Sequence, residues 1–133
     1  MSGTASLIRS YFEAFNRQDW AGMVALLADD VRHDINQGGL EQGRDTFAKF
    51  LAYMDRCYAE QIGELVVMAD GDRAAAEFIV SGTYKRTDGD FPAARGQTYR
   101  LPGGSFFELR GGRIARVTTY YNLKDWLAQI GAS

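Results

Sequence analysis

Apolar residues recur at helical spacing in three stretches of the N-terminal half of the chain. The first stretch follows Thr4 and Ser6, either of which can accept hydrogen bonds from the amides of a first helical turn. The second follows Asp19, a good capping residue, and is interrupted by Asp29-Asp30. The third continues to about Tyr58. The positions that define these three predicted helices are Leu7, Ile8, Tyr11, Phe12 and Phe15, then Trp20, Met23, Leu26 and Leu27, then Phe47, Phe50, Leu51 and Met54.

The second half of the chain has the pattern of long strands separated by tight turns. Asp70-Gly71-Asp72 separates a strand over roughly 62–68 from a longer one, and Arg110-Gly111-Gly112-Arg113 precedes the last strand, over 114–121. Pro102-Gly103-Gly104 predicts a bulge or a sharp bend. One shorter strand, roughly 31–36, is predicted between the second and third helices, followed by a polar loop through Gly43. Asn122 can cap a short closing helix.

The long strand after Asp72 shows two distinct faces, because alternate residues of a strand point to opposite sides. One phase is strongly apolar and contains Ala74, Ala76, Phe78, Val80, Gly82 and Tyr84. The other phase is partly apolar as well, so we expect that face to meet a second surface.

Helices followed by an extended sheet predict one α+β domain over residues 1–133, in which a curved antiparallel sheet forms a cone around the N-terminal helices. Ligand sites favour concave surfaces of this kind. We therefore expect the residues of a site on the first strand, on the helices beneath it and on the inner face of the sheet.

Composition narrows the classes of partner. The 133 residues include 15 basic and 17 acidic ones, a net charge of −2, without the basic stripe typical of proteins that bind nucleic acid. No apolar run is long enough for a membrane span, and the N-terminus lacks a signal-peptide pattern. We expect a soluble, cytoplasmic protein. Eight Phe, seven Tyr and two Trp, 13% of the chain, favour an aromatic-lined cavity.

Metal and disulfide chemistry have little support in the sequence. The chain has one cysteine, Cys57, and one histidine, His33, so no disulfide within the chain and no recognisable zinc or iron ligand set is predicted. We expect neither a metal nor a cofactor.

The segment with the most candidate catalytic side chains is residues 29–39, DDVRHDINQGG, which contains the only histidine of the chain. An apolar pocket around Asp34 would raise the pKa of its carboxyl toward the range useful for proton abstraction. His33 could orient Asp34 or act as a second acid or base, although neighbouring strand residues point to opposite faces. Asn36 shares the phase of Asp34 and could bind a substrate carbonyl, but it could equally form an Asx turn into the glycine pair.

Several segments together resemble the ketosteroid isomerase and polyketide cyclase (SnoaL-like) superfamily, whose members share the cystatin-like roll of nuclear transport factor two. The likeness covers nearly the whole chain and specifies the fold better than the reaction. The segments that carry it are YFEAFNRQDW at 11–20, LLADDV at 26–31, His33-Asp34, Gly43-Arg44, the pair Phe106-Phe107 and the strand over 114–121.

The resemblance implies roles for three positions. Tyr11 matches the tyrosine that donates a hydrogen bond to the developing oxyanion in the steroid isomerases. Asp34 matches their proton-shuttling base if a one-residue gap follows Asp30, whereas without that gap Ile35 takes this place. Ser105 stands where those enzymes carry a protonated aspartate as second donor, and a serine hydroxyl lacks the acidity of that group. Ordinary steroid isomerisation is therefore not what this sequence predicts.

The remaining candidates are aromatic residues that could form the wall of a pocket for a flat hydrophobic ligand. Each of them could equally belong to the core or to a subunit interface. Since Tyr120 and Tyr121 lie on opposite faces of one strand, one of the two should point inward. The candidates for substrate binding are Trp20, Tyr58, Phe78 and Tyr120, beside Asn36 and Ser105.

The leading functional hypothesis is a small-molecule enzyme without a cofactor. It would act by proton transfer on a hydrophobic carbonyl compound, as an isomerase or a polyketide cyclase, with Asp34, Tyr11 and His33 as catalytic residues. One alternative is a ligand-binding or interaction module without turnover. Another is a dehydratase or an enzyme similar to epoxide hydrolases, in which His33 and Asp34 activate a hydroxyl or a water. We also expect a homodimer, as in many members of the superfamily.

Overall fold

A computed structural model of the chain describes residues 3–35 and 38–131. Four helices and six strands follow one another along these residues. Their order is α1 (Gly3–Asn16), α2 (Trp20–Ala25), β1 (Leu27–Ile35), β2 (Gly39–Gln42), α3 (Arg44–Cys57), β3 (Tyr58–Asp70), β4 (Arg73–Tyr84), β5 (Thr98–Arg110), β6 (Arg113–Tyr121) and α4 (Leu123–Gln129).

The six strands form one curved sheet in the order β2-β1-β6-β5-β4-β3, with β2 and β3 at its open edges. Neighbouring strands are antiparallel except β1 and β6, which pair in parallel. The predicted α+β fold with a curved sheet around N-terminal helices is confirmed, and the all-antiparallel pairing is the detail that was wrong.

The predicted helix starts are confirmed where a side chain caps the first turn. Asp19 accepts a hydrogen bond from the backbone N–H of Gly22, and Asn122 accepts one from that of Asp125. The apolar faces of α1 and α3 meet the inner face of the sheet. Their main contacts form a core of Ile8, Tyr11, Phe12, Phe47, Leu51, Phe78 and Phe107.

Strand boundaries differ from the sequence-based prediction in three places. β1 begins at Leu27, earlier than predicted, because its first residues are buried against the core. The segment expected as a polar loop contains β2, and β3 begins directly at Tyr58. Short edge strands have weak alternation of apolar and polar residues, so the sequence of β2 does not clearly predict a strand.

Of the two alternatives predicted at Pro102-Gly103-Gly104, a bulge or a sharp bend, the bulge is wrong and the bend stays a prediction. The pairing of β4 with β5 continues without a shift from Thr98 to Glu108. A shift does occur in the pairing of β3 with β4, between Gly63 and Val66, where Glu64 has a φ of 51°. Gly103 has a packing role instead, since a Cβ there would lie 2.7 Å from Cε1 of Phe78.

We predict that Leu27→Ala lowers the free energy of unfolding by about 2–5 kcal/mol, because Leu27 is completely buried in the core and its truncation leaves a cavity. Leu40→Ala is the matched control, since Leu40 is exposed on the edge strand β2, and it should change this free energy by less than about 1 kcal/mol. Urea denaturation of both variants measures the difference. Equal losses would contradict the assignment of the core.

Candidate functional site

The space between the helices and the inner face of the sheet contains a cavity of about 460 Å³. This is in the usual size range of small-molecule sites, about 300–1,000 Å³. No lysine or arginine is among the described residues that line it. Twelve of the residues that line the cavity are aromatic: Tyr11, Phe12, Phe15, Phe47, Phe50, Tyr53, Tyr58, Phe78, Phe91, Tyr99, Tyr121 and Trp126.

His33 of β1 lines this cavity. Its ring packs against Phe47 and Phe50 of α3, at centroid distances of 4.8 and 4.6 Å. The side chain is almost completely buried. Burial lowers the pKa of His33 to about 4, against the opposing effect of the nearby Asp34 charge, so the imidazole is neutral at neutral pH.

Glu41 of β2 lies beside the imidazole. Its Oε1 is 3.8 Å from His33 Nδ1, and both atoms are enclosed without a hydrogen-bond partner among the described residues. A movement of several tenths of an ångström would join them, with Nδ1–H donating to the carboxylate. That arrangement fixes the tautomer in which the other ring nitrogen, Nε2, has a free lone pair.

Asp34 has a different environment from the one predicted. In the pairing of β1 with β6, His33 lies opposite Val117 and Asp34 opposite Thr118, so the two side chains point to opposite faces. Asp34 borders the cavity, but its carboxylate accepts hydrogen bonds from Arg116 Nε at 3.0 Å and from Arg32 Nε at 3.3 Å.

The expectation of a raised pKa for Asp34 is therefore wrong. The hydrogen bond from Arg116 and the neighbouring charge of Arg32 hold the pKa of this carboxyl below its ordinary value. Ile35, the next residue, lines the cavity. The ungapped alternative, which puts an apolar residue at the position of the isomerase base, thus agrees with the structure.

Tyr11 lies in the cavity wall, where its ring makes edge contacts with Phe12 and Phe107. Burial raises the pKa of its phenol, so the hydroxyl keeps its proton. Its oxygen has no hydrogen bond to any described residue. A buried phenol usually has a partner, and a ligand oxygen in the cavity could take that place.

The predicted substrate-binding residues divide into two groups. Ser105, Tyr58 and Phe78 line the cavity, with the Ser105 hydroxyl 2.7 Å from Thr119 Oγ1. Trp20 is not among the described residues that line the cavity, and its ring packs against Phe15.

Tyr120 is exposed on the outer face of the sheet, so the prediction that it belongs to the pocket wall is wrong, and Tyr121 is the inward residue of the pair. Asn36 lies outside the described residues.

Two carboxylates facing the cavity were not identified from the sequence. Asp88 accepts hydrogen bonds from the hydroxyls of Tyr53 and Tyr58, each at 2.6 Å, and Glu60 accepts one from Tyr99 at 2.5 Å. Asp88 comes from a loop whose position depends on the whole fold. Glu60 had a detectable signal, because it shares a strand phase with Tyr58 and Ile62, but the strand was predicted to begin only at Ile62.

Residues 3–35 and 38–131 contain neither a metal-ligand cluster nor a membrane-spanning helix. Over these ranges there is no group of three or more His, Cys, Asp or Glu side chains arranged to hold a metal ion. No helix in the same ranges has the length and apolar character needed to cross a membrane.

Comparison with known proteins gives a consistent family assignment. The model of the SnoaL-like domain matches residues 8–117. Crystal structures of candidate polyketide cyclases from Xanthomonas campestris pv. campestris and Pseudomonas putida are 52% and 51% identical, each with a TM-score of 0.94. The alignments cover 97% of this chain and 97% of the Xanthomonas protein, and 96% and 98% for the Pseudomonas protein.

A candidate ketosteroid isomerase from Kribbella flavida is more distant, at 30% identity and a TM-score of 0.67, with 90% of this chain and 78% of that chain covered. No curated protein matches the chain significantly. The predicted resemblance to the polyketide cyclase and ketosteroid isomerase superfamily is confirmed.

We predict that the imidazole of His33 titrates near pH 4, because it is buried among aromatic rings. As His33 is the only histidine, its ring signals in a proton–carbon NMR spectrum of the untagged protein need no assignment. A midpoint near the ordinary value of 6.5 would contradict the buried, inward position.

The lowered pKa of His33 also makes the stability of the protein depend on pH. Between pH 6.5 and about 4 the unfolded chain binds a proton at His33 that the folded protein does not bind. The contribution of His33 to the free energy of unfolding therefore decreases as the pH falls from 6.5 to about 4. The comparison with His33→Gln isolates this contribution, because every other titratable group is present in both proteins. The stability difference between the two should change in this window, and a constant difference would contradict the shift.

Proposed function

The chain belongs to the SnoaL-like domain family, and on this premise we propose that it is a small-molecule enzyme that moves a proton on a hydrophobic carbonyl compound. The observation that carries the proposal is a mainly apolar cavity of about 460 Å³ that a neutral histidine and a protonated tyrosine both line. Isomerisation and intramolecular cyclisation both begin with this chemistry, the formation of an enolate from a ketone.

In the proposed reaction His33, not Asp34, is the base. Nε2 of the neutral imidazole accepts a proton from the carbon next to the carbonyl, and the electron pair of the broken C–H bond moves into the enolate. Glu41 stabilises the resulting imidazolium from 3.8 Å. The imidazolium then returns the proton to a carbon of the enolate, which restores the neutral base. A positioned base of this kind contributes about 10²–10⁴ in rate.

Tyr11 and Ser105 would stabilise the negative oxygen. The Tyr11 hydroxyl has no described partner, so it can donate to an enolate without breaking an existing hydrogen bond. Ser105 can donate as well when Thr119 acts as the donor within their shared contact. Hydrogen-bond donors placed before the charge develops stabilise it without reorganisation during the reaction.

We predict that the protein accelerates the exchange of the α-protons of β-tetralone, a hydrophobic bicyclic ketone, with deuterium from the solvent. His33→Gln should slow the exchange by about 10²–10⁴ because it removes the base. Tyr11→Phe should slow it by about 10² because it removes an oxyanion donor. Loss of proton signal in NMR spectra measures the rates.

Asp34→Asn is the control for this experiment, since the carboxylate of Asp34 is paired with Arg116 and Arg32. It should retain the wild-type rate within a few fold. Binding of the ketone without any exchange would support the non-catalytic alternative, a ligand-binding module. Loss of exchange in Asp34→Asn with retention in His33→Gln would reverse the assignment of the base.

We also propose that the protein forms a homodimer through the outer face of the sheet. Val66, Met68, Phe106 and Tyr120 are each about half exposed there. Met68 and Phe106 both lie opposite Ala75, and Val66 and Tyr120 belong to the adjacent row across the same strands. Exposed apolar residues grouped on one face of four strands are typical of a protein–protein interface, although Glu77 lies between Val66 and Gly104 in the second row.

Light scattering should therefore give about twice the chain mass of 14.8 kDa, and Met68→Glu combined with Phe106→Glu should reduce it to the mass of one chain. Ala52→Glu is the control, because Ala52 is exposed on α3 away from the sheet. A wild-type protein of single-chain mass would contradict the dimer.

A further inference from the structure

The cavity contains a second polar centre around Glu60, away from His33 and Tyr11. Glu60 on β3 lies opposite Gly82 on β4, which in turn lies opposite Tyr99 on β5. The ring of Tyr99 crosses the backbone of Gly82, and a Cβ at Gly82 would lie 2.5 Å from the Tyr99 hydroxyl. The missing side chain of Gly82 thus allows the tyrosine to reach Glu60.

The two carboxylates at this centre, Asp88 and Glu60, differ in whether an oxygen remains free to accept a hydrogen bond from a ligand. Asp88 uses both oxygens, Oδ1 for Tyr53 and Oδ2 for Tyr58. Glu60 uses only Oε2, which accepts from Tyr99, and its Oε1 has no hydrogen bond to a described residue. No arginine or lysine forms an ion pair with Glu60 in the described part of the chain. Burial raises the pKa of Glu60, and the hydrogen bond from Tyr99 opposes this rise.

The two polar centres lie at different levels of the sheet. His33 is aligned through Val117 with Phe107, and the Tyr11 ring contacts Phe107 at 5.4 Å. Tyr99 lies eight residues before Phe107 on β5, so it stands at a different level of the curved sheet. The wall between these levels includes Phe78, Leu101 and Gly103. A ligand that reaches both centres must be elongated and largely apolar.

We propose that Glu60 is a binding residue for the far end of such a ligand, where its free carboxylate oxygen accepts a hydrogen bond from a ligand hydroxyl. Tyr99 is the positioning residue that fixes the other oxygen. The substrate class is then an elongated hydrophobic ketone that carries a hydroxyl at the end opposite its reactive carbonyl. This inference rests on the proposed function, because the reactive carbonyl is assigned to the centre at His33 and Tyr11.

Matched pairs of probe ketones of increasing length test the proposal by isothermal titration calorimetry. One member of a pair is a methyl alkyl ketone such as methyl decyl ketone, and the other carries a terminal hydroxyl on the same chain. Beyond a minimum length, the hydroxyl should strengthen binding to the wild-type protein by about tenfold, because a hydrogen bond to a charged group in a largely apolar cavity is among the stronger ones.

Glu60→Gln should reduce this advantage to less than about threefold, since a neutral amide is a weaker acceptor than a carboxylate. Tyr99→Phe should also reduce this advantage, because Oε2 of Glu60 then loses the hydrogen bond that fixes it, which keeps the proposal testable should Glu60→Gln fold poorly. Glu64→Gln is the control, because Glu64 is an exposed carboxylate on the same strand, paired with Arg100. It should keep the full advantage.

An absent hydroxyl advantage in the wild type, or a full advantage in both Glu60→Gln and Tyr99→Phe, would overturn the role of Glu60. α-Proton exchange of the plain ketone, measured in parallel, separates this outcome from failure of the proposed function. Exchange without a hydroxyl advantage overturns only the Glu60 site. A Glu60-dependent advantage without exchange supports the binding contact and overturns the catalytic proposal, and absence of both overturns the two together.

Discussion

The register between β1 and β6 is the constraint on which the rest of the site depends. Pairing of His33 with Val117 and of Asp34 with Thr118 sends the imidazole into the cavity and the carboxylate to the other face. A slip by one residue would exchange the two groups. Two interactions oppose that slip. The hydrogen bond from Arg116 holds Asp34 outside, and the rings of Phe47 and Phe50 enclose His33 inside.

Much of the chemistry of the site follows from this arrangement. Inside, the aromatic surroundings keep His33 neutral and Tyr11 protonated, so one group can accept a proton while the other donates a hydrogen bond. Outside, Asp34 is an ordinary ionised carboxylate in an ion pair, which strengthens the connection between β1 and β6. Two adjacent residues therefore have separate environments, one in the cavity and one in the sheet.

The fold could be predicted from the sequence to a large extent. Helical spacing in the first sixty residues and turn signals at Asp70-Gly71-Asp72 and Gly111-Gly112 are local patterns, and local patterns determine most of this architecture. The apolar phase from Ala74 to Tyr84 correctly identified the inner face of β4. The capping residues Asp19 and Asn122 correctly located two helix starts.

The candidate site was harder to predict from the sequence than the fold, because the residues that form it are brought together by long-range strand pairing. The phase of β1 is ambiguous in sequence, since Asp34 and His33 are both polar and only the partner strand decides which one points inward. Pairing of β3 with β4 brings Glu60 to the cavity, and pairing of β2 with β1 brings Glu41 beside His33. Asp88 is positioned by hydrogen bonds from Tyr53 and Tyr58, thirty or more residues away along the chain.

The most direct measurement is a crystal structure of the protein with bound β-tetralone. We expect the carbonyl oxygen within about 2.6–3.2 Å of the Tyr11 hydroxyl, and the adjacent carbon beside Nε2 of His33. The Asp34 carboxylate should remain on Arg116. A ketone bound with its α-carbon against the Asp34 carboxylate, or with His33 pointing away from it, would contradict the assignment of His33 as the base.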